Sequence, residues 1–207
     1  MVEYFVRGGA FMWPILFFFV FGLGVVIERF WTLSRASINT RKFMEKIRSA
    51  LDEGGIPKAM EVCEQTRGPI ASIFHAGLMR ANRGMDQVEK AIMNAGAVEM
   101  SFLEKGLIWL ATVISIAPML GFTGTVQGMV KAFDAIAAAN DISPAIVADG
   151  ISVALLTTLF GLIVAITIQF FHNYFVDRID HIIVDMEESS TEFIDALMER
   201  EDKLGLK

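Results

Sequence analysis

The stretch GLIWLATVISIAPMLGFTGTVQGMV, residues 106–130, contains no charged residue. A helix that crosses about 30 Å of hydrocarbon needs roughly 20 residues, and this stretch is long enough. Its second half is rich in glycine, threonine and glutamine, which a helix that faces only lipid does not need. Small and hydroxyl residues at close spacing indicate a helix that packs against other helices or lines a hydrated path.

Two further stretches, residues 8–27 and 150–171, are also apolar and uncharged. None of the three alternates polar and apolar residues, and backbone groups in lipid must be hydrogen-bonded internally, so helices are expected. The first stretch ends in Glu28-Arg29 without a small-residue cleavage site, which favours a retained span over a signal peptide. We therefore predict an all-α integral membrane protein with three transmembrane helices, the second and third extended into the cytoplasm.

The orientation follows from the positive charges. Residues 28–105 carry twelve of the 18 Lys and Arg residues, and the positive-inside rule places this segment in the cytoplasm. The N-terminus is then periplasmic and the C-terminus cytoplasmic. The predicted segments are a periplasmic N-terminus (1–7), a first span (8–28), a cytoplasmic helical region (29–105), a second span (106–131), a periplasmic loop (132–148), a third span (149–175) and a cytoplasmic helical tail (176–207).

Glycine and proline divide the cytoplasmic region into short helices. One helix, residues 40–52, is expected to end at Gly54-Gly55, and Pro57 and Pro69 each suit the first position of a new helix. Asp86 followed by Glu89 resembles a capping box. From there an apolar stripe runs into the second span, which predicts one long helix over residues 86–137, bent near Pro118.

The third helix is predicted to begin at Ser143-Pro144 and to approach 60 residues, because no helix breaker occurs between Gly150 and Lys203. Beyond the membrane, apolar residues keep a helical spacing from Ile179 to Leu197. A two-faced helix of this length needs partners, which favours self-association around the stripe.

Two interpretations of the polar residues in the spans stay open. Gly121, Thr125 and Gly128 share one helix face, and Gly124 with Gly128 forms a GxxxG pair. Such residues serve close helix packing, or their hydroxyls hydrate a pore. Thr157 and Thr158 in the third span either join the same hydrated track or bond back to the carbonyl four residues earlier.

No motif of an enzyme is present: the sequence has no phosphate-binding loop, no GxGxxG, no HExxH and no CxxC. His75, His172 and His181 are far apart, so no metal site and no cofactor are predicted. The net charge of −6 argues against a nucleic-acid surface. The single Cys63 is expected to be a small packing residue, and Glu28-Arg29 to be an interfacial pair whose Arg extends to lipid headgroups.

Two segments carry a resemblance to a known family. APMLGFTGTVQGM, residues 117–129, resembles the APxLGLxGTVxGM segment of the MotA/TolQ/ExbB proton-channel family, and GISVALLTTLFGL, residues 150–162, resembles its GIxxALxxTxxGL segment. Pro118, Gly121, Gly124, Gly128 and Gly161 fall within these motifs as packing residues. The three-span order resembles the ExbB/TolQ branch and not the four-span MotA branch.

The resemblance implies a homo-oligomeric ring of five subunits in the cell inner membrane. The ring would surround two single-span helices of the ExbD/TolR type, each with an intramembrane Asp, and proton flow would drive work on a TonB- or TolA-like periplasmic protein. Thr125 and Thr158 match the family's pore-facing threonines. Val153 stands where the pattern often has Glu, which leaves the subgroup open, and sodium in place of protons is also open.

A second hypothesis is a structural membrane scaffold without ion conduction, which would use the same small residues for packing alone. It differs from the motor hypothesis in needing no Asp-bearing partner. A small-solute transporter is disfavoured, because the chain has no inverted repeat and no charge within its spans.

Overall fold

A computed structural model describes residues 2–37, 39–139 and 144–204, and all regular structure within these ranges is helical. A 3₁₀ turn, Ala81–Arg83, connects two of the helices. The α-helices are α1 (Val2–Arg7), α2 (Met12–Ala36), α3 (Thr40–Gln65), α4 (Pro69–Leu78), α5 (Met85–Glu104), α6 (Leu107–Ala139) and α7 (Pro144–Leu204).

The chain divides into two compact units. One, here called the membrane unit, comprises residues 1–29 and 106–175; the other, the charged unit, comprises residues 30–105 and 176–207. Three helical stretches, within Met12–Gln65, Met85–Ala138 and Val147–Arg200, are long and apolar enough to cross a membrane. The prediction of an all-α membrane protein with three spanning helices is confirmed.

The membrane unit is held together by close contacts of α2 with α6 and α7. A methyl group at Gly22 of α2 would lie 2.9 Å from Ile168 Cδ1 and 3.4 Å from Val113 Cγ1, so α2 approaches both helices closely at this glycine. The rings of Phe21 and Trp109 meet edge to face at 6.1 Å. The three helices therefore form one packed group within this unit.

The predicted single helix over residues 86–137 is wrong, because the chain breaks between α5 and α6. Gly106 has φ +99°, a conformation that residues with a side chain rarely adopt. Its carbonyl accepts from the amides of Trp109 and Leu110, so Gly106 begins α6. Pro118 lies inside α6, and the interruption comes twelve residues before it.

The predicted divisions of residues 40–84 are correct, whereas the predicted capping box is not formed. Gly55, with φ +69° and ψ −156°, interrupts α3 just before Pro57, and α4 begins at Pro69. The N-cap of α5 is Gly84, which has no side chain to accept a hydrogen bond. Asp86 lies in the first turn instead, where its charge favours the helix N-terminus.

The apolar stripe of the third helix is covered by the chain's own helices. Phe193 of α7 stacks on Phe74 of α4 with ring centroids 4.1 Å apart, and Phe74 also contacts Phe43 of α3. Ile179, Ile182, Met186, Phe193 and Leu197 are all buried. The expectation that self-association covers this stripe is wrong, because α3 and α4 of the same chain supply the partner surface, which sequence periodicity does not reveal. Self-association of the chain stays a prediction.

The predicted length of the third helix is confirmed, since α7 spans 61 residues from Pro144. Ser143, its predicted N-cap, lies outside the described residues. Most of the segment 132–148 is helical, because α6 runs to Ala139 before α7 begins. Its assignment to the periplasmic side stays a prediction.

Phe193→Ala should destabilise the charged unit by about 3–5 kcal/mol, because it removes a fully buried ring and leaves a cavity beside Phe74. Thermal unfolding of the detergent-solubilised protein, followed by circular dichroism, measures the loss. Met198→Ala is the control, since Met198 is exposed on the same helix. Equal melting temperatures for the two variants would contradict the assigned core.

Cys63 should react slowly with alkylating reagents in the folded protein. Burial, with a smaller contribution from the Glu64 carboxylate, raises the pKa of the thiol from its ordinary value of 9.0 to about 12. The reactive thiolate at pH 8 is then about a thousandfold scarcer than in the unfolded chain. Iodoacetamide labelling with and without SDS, read by mass spectrometry, tests this, and rapid labelling of the native protein would contradict it.

Candidate functional site: a threonine pair in a seam of small residues

In the membrane unit, α6 and α7 run antiparallel and meet along a seam of small residues. A methyl group at Gly121 would lie 2.9 Å from the carbonyl oxygen of Thr157, and one at Gly161 would lie 2.6 Å from that of Ala117. Further along, a methyl group at Gly128 would lie 2.9 Å from the carbonyl oxygen of Gly150. At each point the two backbones are as close as glycine permits.

The spacing of small residues is the same on both helices. It is four, three and four residues on each, which keeps all members of a set on one helix face. On α6 the set is Ala117, Gly121, Gly124 and Gly128, and on α7 it is Gly150, Ala154, Thr157 and Gly161. Each set lies within one of the two motifs quoted above, but only the structure shows that the two sets pack against each other.

Thr125 of α6 and Thr158 of α7 meet at the edge of this seam. Their hydroxyl oxygens are 2.5 Å apart, and both side chains are partly exposed. Thr125 Oγ1 also lies 3.1 Å from the carbonyl oxygen of Ala154 and 3.2 Å from that of Gly121. Thr158 Oγ1 lies 3.3 Å from the same Gly121 oxygen. The structure thus brings together the two threonines that the sequence singled out.

Thr157 occupies a different place. It is fully buried, and its hydroxyl donates to carbonyl oxygens of its own helix, 2.9 Å to Ala154 and 3.2 Å to Val153. Its side chain fills the space opposite Gly124, where an added methyl group would lie 2.5 Å from Thr157 Oγ1. In the single chain it is a packing residue, and a pore-lining role for Thr157 stays a prediction.

Pro118 lies one turn before Gly121, inside α6. Proline has no amide hydrogen, so the carbonyl of Ile114 loses its usual intrahelical donor. Pro118 is partly exposed, in contrast to the fully buried Ala117 beside it. The motif therefore combines a missing intrahelical hydrogen bond at Pro118 with the glycines that follow it.

Charged side chains lie only near the ends of this unit's apolar stretches. At one end, Arg29 forms a bidentate ion pair with Glu28, with both N–O distances 2.6 Å. Arg29 is only 5% exposed and packs against Gly106, so it does not extend to headgroups as the sequence suggested. Between the ends, the hydroxyls of Thr125 and Thr158 are the polar groups that reach across the α6–α7 seam.

A family model matches residues 65–188, which include both halves of this seam, and it describes the MotA/TolQ/ExbB proton channel family. The chain belongs to this family.

The described residues contain no group of three or more His, Cys, Asp or Glu side chains placed to hold a metal ion.

Individual relatives in the family agree with this assignment. An ExbB homolog of Methanothermobacter thermautotrophicus, named for biopolymer transport, is 34% identical over 90% of this chain and 67% of its own length. An ExbB-like protein of Synechocystis is 30% identical over 80% of this chain and 66% of its own length. TolQ of Haemophilus influenzae, a Tol-Pal system protein, is 27% identical over 86% of this chain and 83% of its own length. The chain thus spans about two thirds of the first two relatives.

Gly161→Ala should destabilise the membrane unit of this MotA/TolQ/ExbB-family chain by about 1–3 kcal/mol, because the new methyl group would press on the Ala117 carbonyl and separate the helices. Gly24→Ala is the matched control. Nothing lies within 4 Å of the methyl position at Gly24, and alanine favours helix by up to about 1 kcal/mol over glycine. Thermal unfolding in detergent should give a lower melting temperature for Gly161→Ala than for Gly24→Ala. Equal melting temperatures would contradict the assigned contact between α6 and α7.

Proposed function

We propose that this chain is a subunit of an ion-driven motor of the cell inner membrane. In this proposal five copies form a ring around single-span partner helices of the ExbD/TolR type. An Asp of each partner helix takes up and releases protons beside the Thr125–Thr158 pair, whose hydroxyls hydrogen-bond to its protonated carboxyl group or to water. The resulting motion does work on a TonB- or TolA-like periplasmic protein. Membership of the proton channel family and the names of the relatives support this proposal.

The observation that carries the proposal is the Thr125–Thr158 hydroxyl pair. Each hydroxyl has one hydrogen to donate and two lone pairs that accept. The pair can donate two hydrogen bonds, and the 2.5 Å contact and the nearby carbonyl oxygens can take both. Lone pairs therefore remain on the hydroxyl oxygens of two partly exposed residues, where they can accept a hydrogen bond from water or from a protonated carboxyl group.

The chain does not supply that carboxyl group. The stretches 8–27, 106–130 and 150–171 contain no Asp or Glu, and Val153 occupies the position where the ExbB/TolQ pattern often has Glu. A proton carrier within the membrane must therefore come from another chain. This need is what separates a motor from a scaffold, since a scaffold requires small residues but no partner with an intramembrane Asp.

The exposed faces of the spanning helices leave room for such assembly. Large apolar side chains are exposed on each of the three, among them Phe17 of α2, Phe122 of α6 and Ile166 of α7. These faces are suited to lipid and to neighbouring copies alike. The proposed orientation has a periplasmic N-terminus and a cytoplasmic C-terminus, on the strength of the positive charges in residues 28–105.

Thr158→Val should lower partner-dependent proton flux at least tenfold, because valine keeps the shape of threonine but removes the hydroxyl from the pair. The complex with the Asp-bearing partner is weighed by native mass spectrometry and then reconstituted into liposomes. Dye quenching under a potassium diffusion potential measures proton flux. A sodium gradient in place of the proton gradient determines which ion is carried.

Two variants serve as controls. Thr158→Ser keeps a hydroxyl and should retain most of the flux. Thr123→Val also removes a threonine hydroxyl from α6, but that hydroxyl is exposed and donates only to the Met119 carbonyl of its own helix, so flux should not change. Full flux in an intact Thr158→Val complex would contradict the role of the pair. A homo-oligomer that never takes up a partner would favour the scaffold.

A further inference from the structure

The membrane unit contains a cavity of about 540 Å³ where the last turns of α6 meet the first turns of α7. Gly128, Lys131 and Ala135 line it from α6, and Asp149 and Val153 line it from α7. A water molecule occupies about 30 Å³ of liquid, so the space is large enough for on the order of ten waters. Most of its lining is apolar, and its two charged residues are Lys131 and Asp149.

The cavity lies next to the threonine pair. Gly128 is three residues beyond Thr125 on α6, which is about 4.5 Å along a helix axis. On α7, Val153 precedes Ala154, whose carbonyl oxygen lies 3.1 Å from Thr125 Oγ1. The inner end of the cavity, at Gly128 and Val153, is thus next to residues of the hydroxyl-pair site.

The two charges in the lining have opposite effects on ions. A carboxylate at the mouth of a cleft raises the local concentration of cations, and an ammonium group lowers it. Within the described part of the chain, no ion pair joins Lys131 to Asp149. Neither charge is therefore neutralised by direct contact with the other.

We propose that this cavity is the aqueous vestibule through which cations reach the Thr125–Thr158 pair, and that Asp149 concentrates cations in it while Lys131 limits them. The inference rests on the proposed ion-conducting function and adds its outer access site. Orientation by positive charge puts the vestibule on the periplasmic side. Asp149 and Lys131 set the supply of ions, whereas the threonine pair lies on the path itself.

Substituted cysteines test the vestibule without a flux measurement. Val153→Cys and Ala135→Cys, each in the full chain in spheroplasts with its partner, should react with membrane-impermeant methanethiosulfonates added outside. Val130→Cys should not react, because Val130 is exposed on α6 between Gly128 and Lys131 but is not among the residues that line the cavity. A gel shift with a maleimide polymer after denaturation counts the unreacted thiols, and the native Cys63 adds one constant shift.

The charge assignment is tested by the ratio of labelling rates for a cationic and an anionic reagent at Val153→Cys, each normalised to free cysteine. A unit charge about 6 Å away in water changes the concentration of a monovalent ion about threefold. The two reagents respond in opposite directions, so Asp149→Asn should lower the ratio about tenfold and Lys131→Gln should raise it similarly. Asp134 lies on α6, as Lys131 does, but does not line the cavity, so Asp134→Asn should change the ratio of labelling rates less than twofold.

Two results would overturn the vestibule. One is that Val153→Cys and Ala135→Cys both stay unlabelled in correctly assembled protein. The other is that the ratio does not respond to Asp149→Asn. Either result, together with a loss of flux in Thr158→Val, removes the vestibule and leaves the motor in place. The opposite combination is also informative. If the cavity cysteines are labelled with the expected charge dependence but Thr158→Val retains full flux, the role of the threonine pair is refuted.

Discussion

The close approach of α6 and α7 is the constraint on which the rest of the membrane unit depends. In lipid, apolar surface gains little from being covered by more apolar surface, so helices associate through tight backbone contact and hydrogen bonds between them. The matching sets of small residues on the two helices supply the contact, and Thr125 and Thr158 supply the hydrogen bond. A larger side chain at Gly121 or Gly161 would remove both together.

The same constraint explains why the polar groups of this unit are hydroxyls and not charges. An ionised side chain in hydrocarbon is costly unless it is paired or hydrated, whereas a threonine satisfies its one hydrogen on a nearby carbonyl. Several threonines here do only that, as Thr112 and Thr167 show. Thr125 and Thr158 differ because the narrow seam lets each reach the other helix.

Much of this architecture could be predicted from the sequence, and the misses have physical reasons. The spans, the break at Gly55 and the length of α7 follow from hydropathy and from local backbone preferences. The break at Gly106 was missed because the apolar stripe continues through it, and a glycine in a sequence does not by itself reveal whether its φ is positive. The partners of the α7 stripe were missed because periodicity identifies a buried face but not what covers it.

For the site, the motifs led directly to Thr125, Thr158 and the glycines. What the sequence left undecided was which hydroxyls bond within their own helix and which bond across. Thr157 and Thr158 are neighbours in the chain, yet a helix turns by about 100° between them. Only the rotation of α7 about its axis, set by Gly150 and Gly161 against α6, decides that Thr157 is buried and Thr158 is at the edge.

The repeat of small residues in the seam has one more consequence, which concerns register. If α7 slid along α6 by one turn, Gly161 would move from Ala117 to Gly121, and Thr157 would move from Gly124 to Gly128. Small residues would again face small residues, so packing alone discriminates poorly between the two alignments. Thr158, however, would then face Met129 in place of Thr125. The hydroxyl pair is thus what selects one register of two helices that could otherwise be aligned in more than one way.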